Sequence, residues 1–467
     1  MCVVDPLPRR AQRLRSNCTP ATRVIQSKPI PFQADAISQT SFMNSQRYRL
    51  LTRTMVLIVA VLLSRGGLSA YSVLTHEEII DLAWTAGIRP LLLLHFPGMS
   101  EEEIKDAHAY AYGGSVIQDL GYYPFGSRQF SELVHYVRTG DFVLELLRQS
   151  ENANEYAFAL GALSHYTADL YGHPAINEAV AIRYPKLRAR YGMSVRYAQD
   201  TTAHLKTEFG FDTLQVARNR YRFDQYHKFI GFKVSLPLLE RTFPVIYGLQ
   251  LKHVLVNEDM SIGSYRFSVS KLIPQMTKVA LETHKKDLMR ETPDFAEKKF
   301  LYRLSRADYE QEWGKTYMRV GFGTRFLAAL LRFIPKIGPL KGMGFNNPTP
   351  RTEDLYIRSI NSTVDHYRAF LDEARAGTLI LPNYDLDDGN LTTAAEYSLA
   401  DETYAALLLD LAAGNFEETS PQLKSNILAF YTNRTLPIWT KKTPARWQTV
   451  LADLTELRAA TPIPEQR

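Results

Sequence analysis

Eleven histidines occur in the 467-residue chain, and two of them stand eight apart with an aspartate midway, in the stretch SHYTADLYGHP (164–174). On a helix, His165, Asp169 and His173 fall at i, i+4 and i+8, drift only about 40° per step, and share one face. Chance produces a His-x3-Asp-x3-His pattern roughly 0.01 times in a chain of this composition. A second pair, His204 and Glu208 in TAHLKTEFG, repeats the i, i+4 spacing. That pair alone arises by chance about half a time, so its weight comes from its company. Upstream stand His76 in YSVLTHEEI, Asp119 in GGSVIQDLGYYP and His135 in SELVHYV. Imidazole nitrogen and carboxylate oxygen are ligands for zinc and similar ions, and two such groups four apart on a helix bind one ion without straining the backbone. Five histidines and three acids can hold more than one ion, and adjacent metals suit displacement at phosphorus. For the triple, a buried polar network is the competing explanation, and for Asp119 a helix N-cap.

The elements that must present these residues are helices. Spacing of the 3.6 type recurs in THEEIIDLAWTAGI, YAFALGALSHYTADLYG and TYAALLLDLAAG, whereas few stretches alternate with period two, so the fold class is all-α. Proline and glycine in FPGMS (96–100), YYPFGS (122–127) and GHPAIN (172–177) punctuate the helical blocks. EEEIKD (101–106) reads as a solvated helix start. Seven of the eleven histidines lie between 76 and 204, which divides the chain into a chemistry-bearing region, 71–210, and an additional helical C-terminal region, 211–467. Within the latter, TRFLAALLRFIPKIGPLKGMGF (324–345) mixes apolar and aromatic residues with Arg325, Arg332, Lys336 and Lys341. It reads as a core helix with a basic rim or, as the sharper alternative, a membrane-contact segment.

Charge and cysteines narrow the function classes. The chain carries a formal +6, but residues 1–70 hold ten Lys/Arg against two Asp/Glu, leaving 45 against 47 in the remainder. Basicity thus belongs to the leader, and nucleic acid is not the favoured partner. From Met43, the basic RYRLLTR, the apolar MVLIVAVLL (55–63) and the small-residue SRGGLSA ending at Ala70 form a signal peptide over 43–70. Nine apolar residues fall short of the roughly 20 that span a bilayer, so an uncleaved anchor is the secondary expectation. Residues 1–42 read as a disordered or over-extended N-terminus. Both cysteines, Cys2 and Cys18, precede the expected cleavage point. The exported protein, secreted or periplasmic, would then have no thiolate to offer a metal.

Taken in order, these residues resemble the zinc-dependent phospholipases C, relatives of the S1/P1 nucleases and of the catalytic domain of glycosylphosphatidylinositol-specific phospholipase D. The family's ordered ligand set is the mature amino terminus, a nearby His, a mid-chain Asp, a His, His-x3-Asp followed by His, then His-x3-Glu. The chain supplies Tyr71, His76, Asp119, His135, His165, Asp169, His173, His204 and Glu208. The resemblance covers roughly 71–210 and implies an all-α, multi-helix phospholipase C/P1 nuclease-like domain holding up to three zinc ions. It implies that His135, His165 and Asp169 hold one zinc. Asp169 would bridge to a second, completed by His76 and by the freed amine and carbonyl of Tyr71, while His173, His204 and Glu208 hold the third. Asp119 would be the catalytic base for a metal-activated water. Here the third histidine follows the aspartate by four, as in the phospholipase D branch, rather than by six.

The expected function is therefore a secreted zinc-dependent phosphodiesterase of phospholipase C/D type, acting on phospholipid or a membrane surface. The alternatives are an S1/P1-like single-strand nuclease and a non-catalytic zinc-binding surface protein. His95, His108, His227, His253, His284 and His366 are expected to be ordinary packing residues rather than ligands.

Overall fold

A computed structural model describes residues 73–217, 230–273 and 348–463 of the chain. The leader, Tyr71, His227, His284 and the 324–345 segment lie outside the described residues. The described chain is helical, as its periodicity dictates. In order come α1 (Val73–Ala83), α2 (Arg89–His95), α3 (Glu101–Gly114), α4 (Arg128–Tyr136), α5 (Thr139–Arg148), α6 (Ala153–Arg183), α7 (Pro185–Tyr191) and α8 (Thr201–Ala217). They are followed by α9 (Leu236–Tyr247), α10 (Leu251–Val254), α11 (Glu258–Phe267), α12 (Pro350–Ala376), α13 (Ser398–Ala413), α14 (Pro421–Phe430) and α15 (Pro444–Ala459). A short 3-10 helix, Ile117–Tyr122, links α3 to α4. The strands among the described residues are β1 (Tyr384–Asp385) and β2 (Asn390–Leu391), an antiparallel pair with Tyr384 opposite Leu391 and Asp385 opposite Asn390.

The 31-residue α6 is the helix around which the described helices α3 and α12 pack. It is buried almost without break from Glu155 to Leu170, as befits a helix that is apolar around its whole circumference. Its start is fixed by the Asn152 side chain, which accepts a hydrogen bond from the Glu155 backbone N–H at 3.0 Å. On one side α3 lies in near backbone contact, which requires glycine: a Cβ on Gly114 would stand 2.0 Å from the Phe158 carbonyl oxygen, and one on Gly161 would stand 2.2 Å from that of Ala111. On another side α12 packs, with the Tyr367 hydroxyl donating to the Leu160 carbonyl at 2.9 Å. The other end of α3 carries the capping box its sequence implies, with Ser100 and Glu103 bonding each other's backbone N–H.

GHPAIN does not interrupt the helix. Pro174 lies inside α6, which continues to Arg183. Proline deprives the Leu170 carbonyl of its helical donor and would normally end a helix. Here Ile176, Ala179 and Val180 beyond it are buried, so core packing outweighs the local preference. The lesion is covered by the turn between β1 and β2. Gly389, at φ +77°, sits so close that a Cβ there would be 2.9 Å from the Leu170 oxygen and 3.2 Å from the proline ring.

The division read at residue 210 falls within α8, and the apolar core runs across it. Tyr367, Leu371 and Leu386 belong to the same buried cluster as Tyr112, Leu160 and Tyr166. Among the described residues, no helix is long and apolar enough to cross a membrane.

Candidate metal centre

Three other elements converge on the middle of α6, where Asp169 stands. His165 and His173 lie one turn before and after it on the same face. Helix α1 brings His76, α4 brings His135, and the 3-10 helix brings Asp119. The Asp169 Oδ2 atom stands 3.1 Å from His165 Nε2, 3.4 Å from His135 Nε2 and 3.7 Å from His173 Nε2. Its other oxygen, Oδ1, stands 3.6 Å from His76 Nε2. Asp119 Oδ1 lies 3.5 Å from His135 Nε2 and 4.0 Å from His165 Nε2. Two groups of three are thereby close enough to share an ion: His76, His165 and Asp169, and Asp119, His135 and His165. On α8, His204 Nδ1 and Glu208 Oε1 are 3.3 Å apart, and the His204 ring centroid lies 6.4 Å from that of His173. All of these side chains are buried.

Three of the imidazoles are held so that one nitrogen faces inward. His135 Nδ1 points at the Ser131 carbonyl at 2.7 Å and His165 Nδ1 at the Ser115 carbonyl at 2.9 Å. A carbonyl can only accept, so these nitrogens carry the proton and each Nε2 presents a lone pair toward Asp169. For His204 the roles exchange: Nε2 donates to the Val195 carbonyl at 2.5 Å, leaving the Nδ1 lone pair beside Glu208. An outer hydrogen bond of this kind fixes the ring and raises its basicity as a ligand. Helix α1 is positioned by Asp212 of α8, which accepts from the Leu74 N–H at 3.1 Å and the Thr75 hydroxyl at 2.7 Å. A carboxylate at a helix N-terminus is also favoured by the macrodipole.

The donor set fits zinc. Nitrogen and oxygen ligands about 2.0–2.2 Å from one ion at tetrahedral angles stand about 3.3–3.6 Å from one another, close to the separations around Asp169. Both Asp169 oxygens, Asp119 Oδ1, both His173 nitrogens and Glu208 Oε2 are buried without a hydrogen bond. Buried acceptors left so are costly unless a cation takes them up.

Residues 75–255 match the family model of zinc-dependent phospholipase C. This segment belongs to that family. No curated protein and no solved structure matches the chain. All eight described residues singled out in the sequence, from His76 to Glu208, fall within the phospholipase C segment, whose family chemistry is zinc-dependent hydrolysis of phospholipid.

Electrostatics in the phospholipase C segment are those of a site that trades protons for cations. Burial, helped by the neighbouring His165, pushes His76 down to about 3, and burial likewise takes His204 to about 3, so both are neutral near pH 7. Burial opposes a charge on His135 and His165 too, but the Asp119 and Asp169 carboxylates prevail and raise both. Burial would raise Asp169, yet the surrounding imidazoles hold it well below the usual carboxylate range. Glu208 is pushed well up, by burial and then by the Asp119 and Asp169 charges. The surroundings thus favour proton binding at His135, His165 and Glu208 over that of the free side chains.

One side chain at the site carried no sequence signal. Asp387, from the turn between β1 and β2, places Oδ1 3.7 Å from His173 Nε2. Three of the remaining described histidines have other duties, and His253 is exposed. His108 pairs with Asp81 at 3.0 Å and stacks on Trp84, His95 packs against Tyr156, and His366 stacks on Tyr171.

Proposed function

We propose that the chain is an exported zinc-dependent phosphodiesterase that hydrolyses phospholipids. The observation that carries the proposal is the buried meeting of His135, His165 and His76 on the two oxygens of Asp169, inside a segment of the zinc-dependent phospholipase C family. His135, His165 and Asp169 would hold one zinc through Nε2, Nε2 and Oδ2. Asp169 Oδ1 and His76 would hold a second, with the amine and carbonyl of Tyr71 completing it once the leader is cleaved after Ala70. His173, His204 and Glu208 would serve a third. Zinc, when bound, polarises phosphoryl oxygens and lowers the pKa of water toward neutrality.

The chain's own contribution is positioning and proton handling. Asp119 is 2% exposed and its Oδ1 lies within 4.0 Å of both His135 and His165, so a water reacting beside those imidazoles would be within its reach. It would orient that water and accept its proton, as a general base must. The carbonyls of Ser131, Ser115 and Val195 keep the imidazoles from rotating, which holds the geometry ready before substrate arrives. Lipid is favoured over nucleic acid because the residues after the leader carry no excess of basic charge.

Vesicles of phosphatidylcholine and of phosphatidylinositol, with products read by mass spectrometry, test the proposal. Release of diacylglycerol indicates cleavage on the glycerol side of phosphorus, and release of phosphatidic acid indicates the headgroup side. Cleavage of single-stranded DNA with both lipids left intact would overturn the reading in favour of a nuclease. Bound zinc with no hydrolysis of either would make it a non-catalytic zinc protein. Export is checked by N-terminal sequencing of the secreted product, expected to begin at Tyr71.

A further inference from the structure

The phospholipase C segment ends at residue 255, yet the site does not. The turn NYDLDDGN (383–390) reaches back from the C-terminal region and is fastened to the helices that carry the histidines. Its Leu386 N–H donates to the carbonyl of His135 at 3.1 Å. Its Asp387 carbonyl accepts from the Asn177 side chain, one turn beyond His173 on α6, at 3.0 Å. Gly389 closes over the Pro174 gap. Arg196, shortly before α8, pairs with Asp388 at 2.9 Å.

These attachments set one carboxylate in a particular attitude. Asp387 Oδ2 accepts two phenolic hydroxyls, Tyr136 at 2.8 Å and Tyr397 at 2.5 Å. Tyr136 is the neighbour of His135 on α4. With Oδ2 committed, Oδ1 faces His173 Nε2 at 3.7 Å, the distance at which Asp169 Oδ2 faces the same nitrogen. His173 is 1% exposed and neither of its nitrogens has a hydrogen bond. At 3.7 Å the Asp387 contact is too long for a hydrogen bond and near the roughly 3.3–3.6 Å spacing of two ligands on one zinc.

We propose that Asp387 is a metal ligand supplied by the C-terminal region, sharing with His173 an ion of the centre. The proposal rests on the metal reading of the site and adds a carboxylate from outside the phospholipase C segment. The two tyrosines act on it as the outer hydrogen bonds act on the histidines, fixing the side chain so that its remaining oxygen stays aimed inward. One consequence is that the phospholipase C segment alone cannot assemble the full centre.

The test is zinc bound by the full chain, measured by elemental mass spectrometry after dialysis against graded zinc buffers. Asp387→Asn should carry one ion fewer than wild type, or bind its weakest ion at least about tenfold less tightly. Tyr397→Phe, which removes a hydrogen bond but leaves the carboxylate, should keep the wild-type count. An Asp387→Asn protein with the wild-type circular dichroism spectrum, count and affinities overturns the proposal. Should that variant fail to fold, Asp387→Glu decides, because the longer carboxylate must alter the visible spectrum of the cobalt-substituted protein; an unchanged spectrum overturns the proposal. Wild type that binds no zinc would sink the metal reading itself, an outcome distinct from wild type and Asp387→Asn binding zinc alike.

Discussion

Two buried histidine–aspartate groups each draw one member from helix α1, Asp81 in the first and His76 in the second, and they are built on opposite principles. In the first, His108 of α3 meets Asp81 of α1 at 3.0 Å, the same carboxylate oxygen accepts the Tyr112 hydroxyl at 2.5 Å, and the imidazole stacks on Trp84 at 3.6 Å. Partners are matched to lone pairs, and the result is a clasp between helices. In the second, four imidazoles crowd the single carboxylate of Asp169 at 3.1 to 3.7 Å, and neither of its oxygens has a hydrogen bond. Surplus lone pairs turned toward one another repel unless protons or cations lie between them. The contrast teaches that a buried histidine–aspartate pair is not itself a sign of metal chemistry; convergence of inward lone pairs is.

The largest effect that would sharpen this contrast comes from Asp169→Ala. Both oxygens of the shared carboxylate vanish, so more than one zinc should be lost and lipid hydrolysis should fall by about 10³-fold or more, read by elemental analysis and steady-state rates. A variant that keeps its zinc would equate the two groups.

Next comes metal removal as a function of pH. In the metal-free fold, His135 and His165 are raised above the ordinary imidazole value, so above pH 6.5 the folded chain retains protons that the unfolded imidazoles release; Glu208, raised from the ordinary carboxylate value, acts in the same sense from lower pH. Stability present at lower pH is therefore lost as pH rises through the folded values, by about 1.4 kcal/mol per pH unit for each such proton. His76 and His204, at about 3 in the fold, oppose this slope near pH 6.5, where the unfolded imidazoles are still losing protons, and add none at the upper end of the range. Zinc displaces the retained protons, so its stabilising effect should grow over the same interval. Melting temperatures with chelator and with zinc, from pH 6.5 to 8.5, should diverge. Parallel curves would contradict the assignment.

A smaller loss is expected from Gly161→Ala, whose new Cβ would stand 2.2 Å from the Ala111 carbonyl oxygen. Overpacking costs about 1–3 kcal/mol, more than the roughly 1 kcal/mol gained in helix propensity. Because α3 leads into Ser115, whose carbonyl orients His165, zinc affinity should weaken together with the denaturation midpoint. The smallest effect on the centre belongs to Asp81→Asn. It should cost about 1–3 kcal/mol of stability while zinc content stays at the wild-type value. A loss of zinc there would erase the distinction between the two groups.

What the sequence disclosed follows from how far each signal reaches along the chain. His165, Asp169 and His173 were legible because helical periodicity turns spacing into direction, and the same holds for His204 and Glu208. The all-α class was legible for the same reason. Pro174 misled because local preference says nothing of the packing that carries α6 past it. Asp387 gave no signal at all: it stands in a turn whose composition explains itself, 214 residues beyond His173, and only tertiary packing joins them. The orienting carbonyls of Ser115, Ser131 and Val195 were equally invisible, since every residue has a carbonyl and only the fold chooses which one faces an imidazole.

The most direct measurement is anomalous diffraction at the zinc edge from crystals of the zinc-loaded full chain. A peak about 2.0–2.2 Å from His135 Nε2, His165 Nε2 and Asp169 Oδ2 is expected, with a second on the Asp169 Oδ1 and His76 side. Crystals with no anomalous density at Asp169, from protein that hydrolyses phospholipid nonetheless, would contradict the assignment of this cluster as the metal centre.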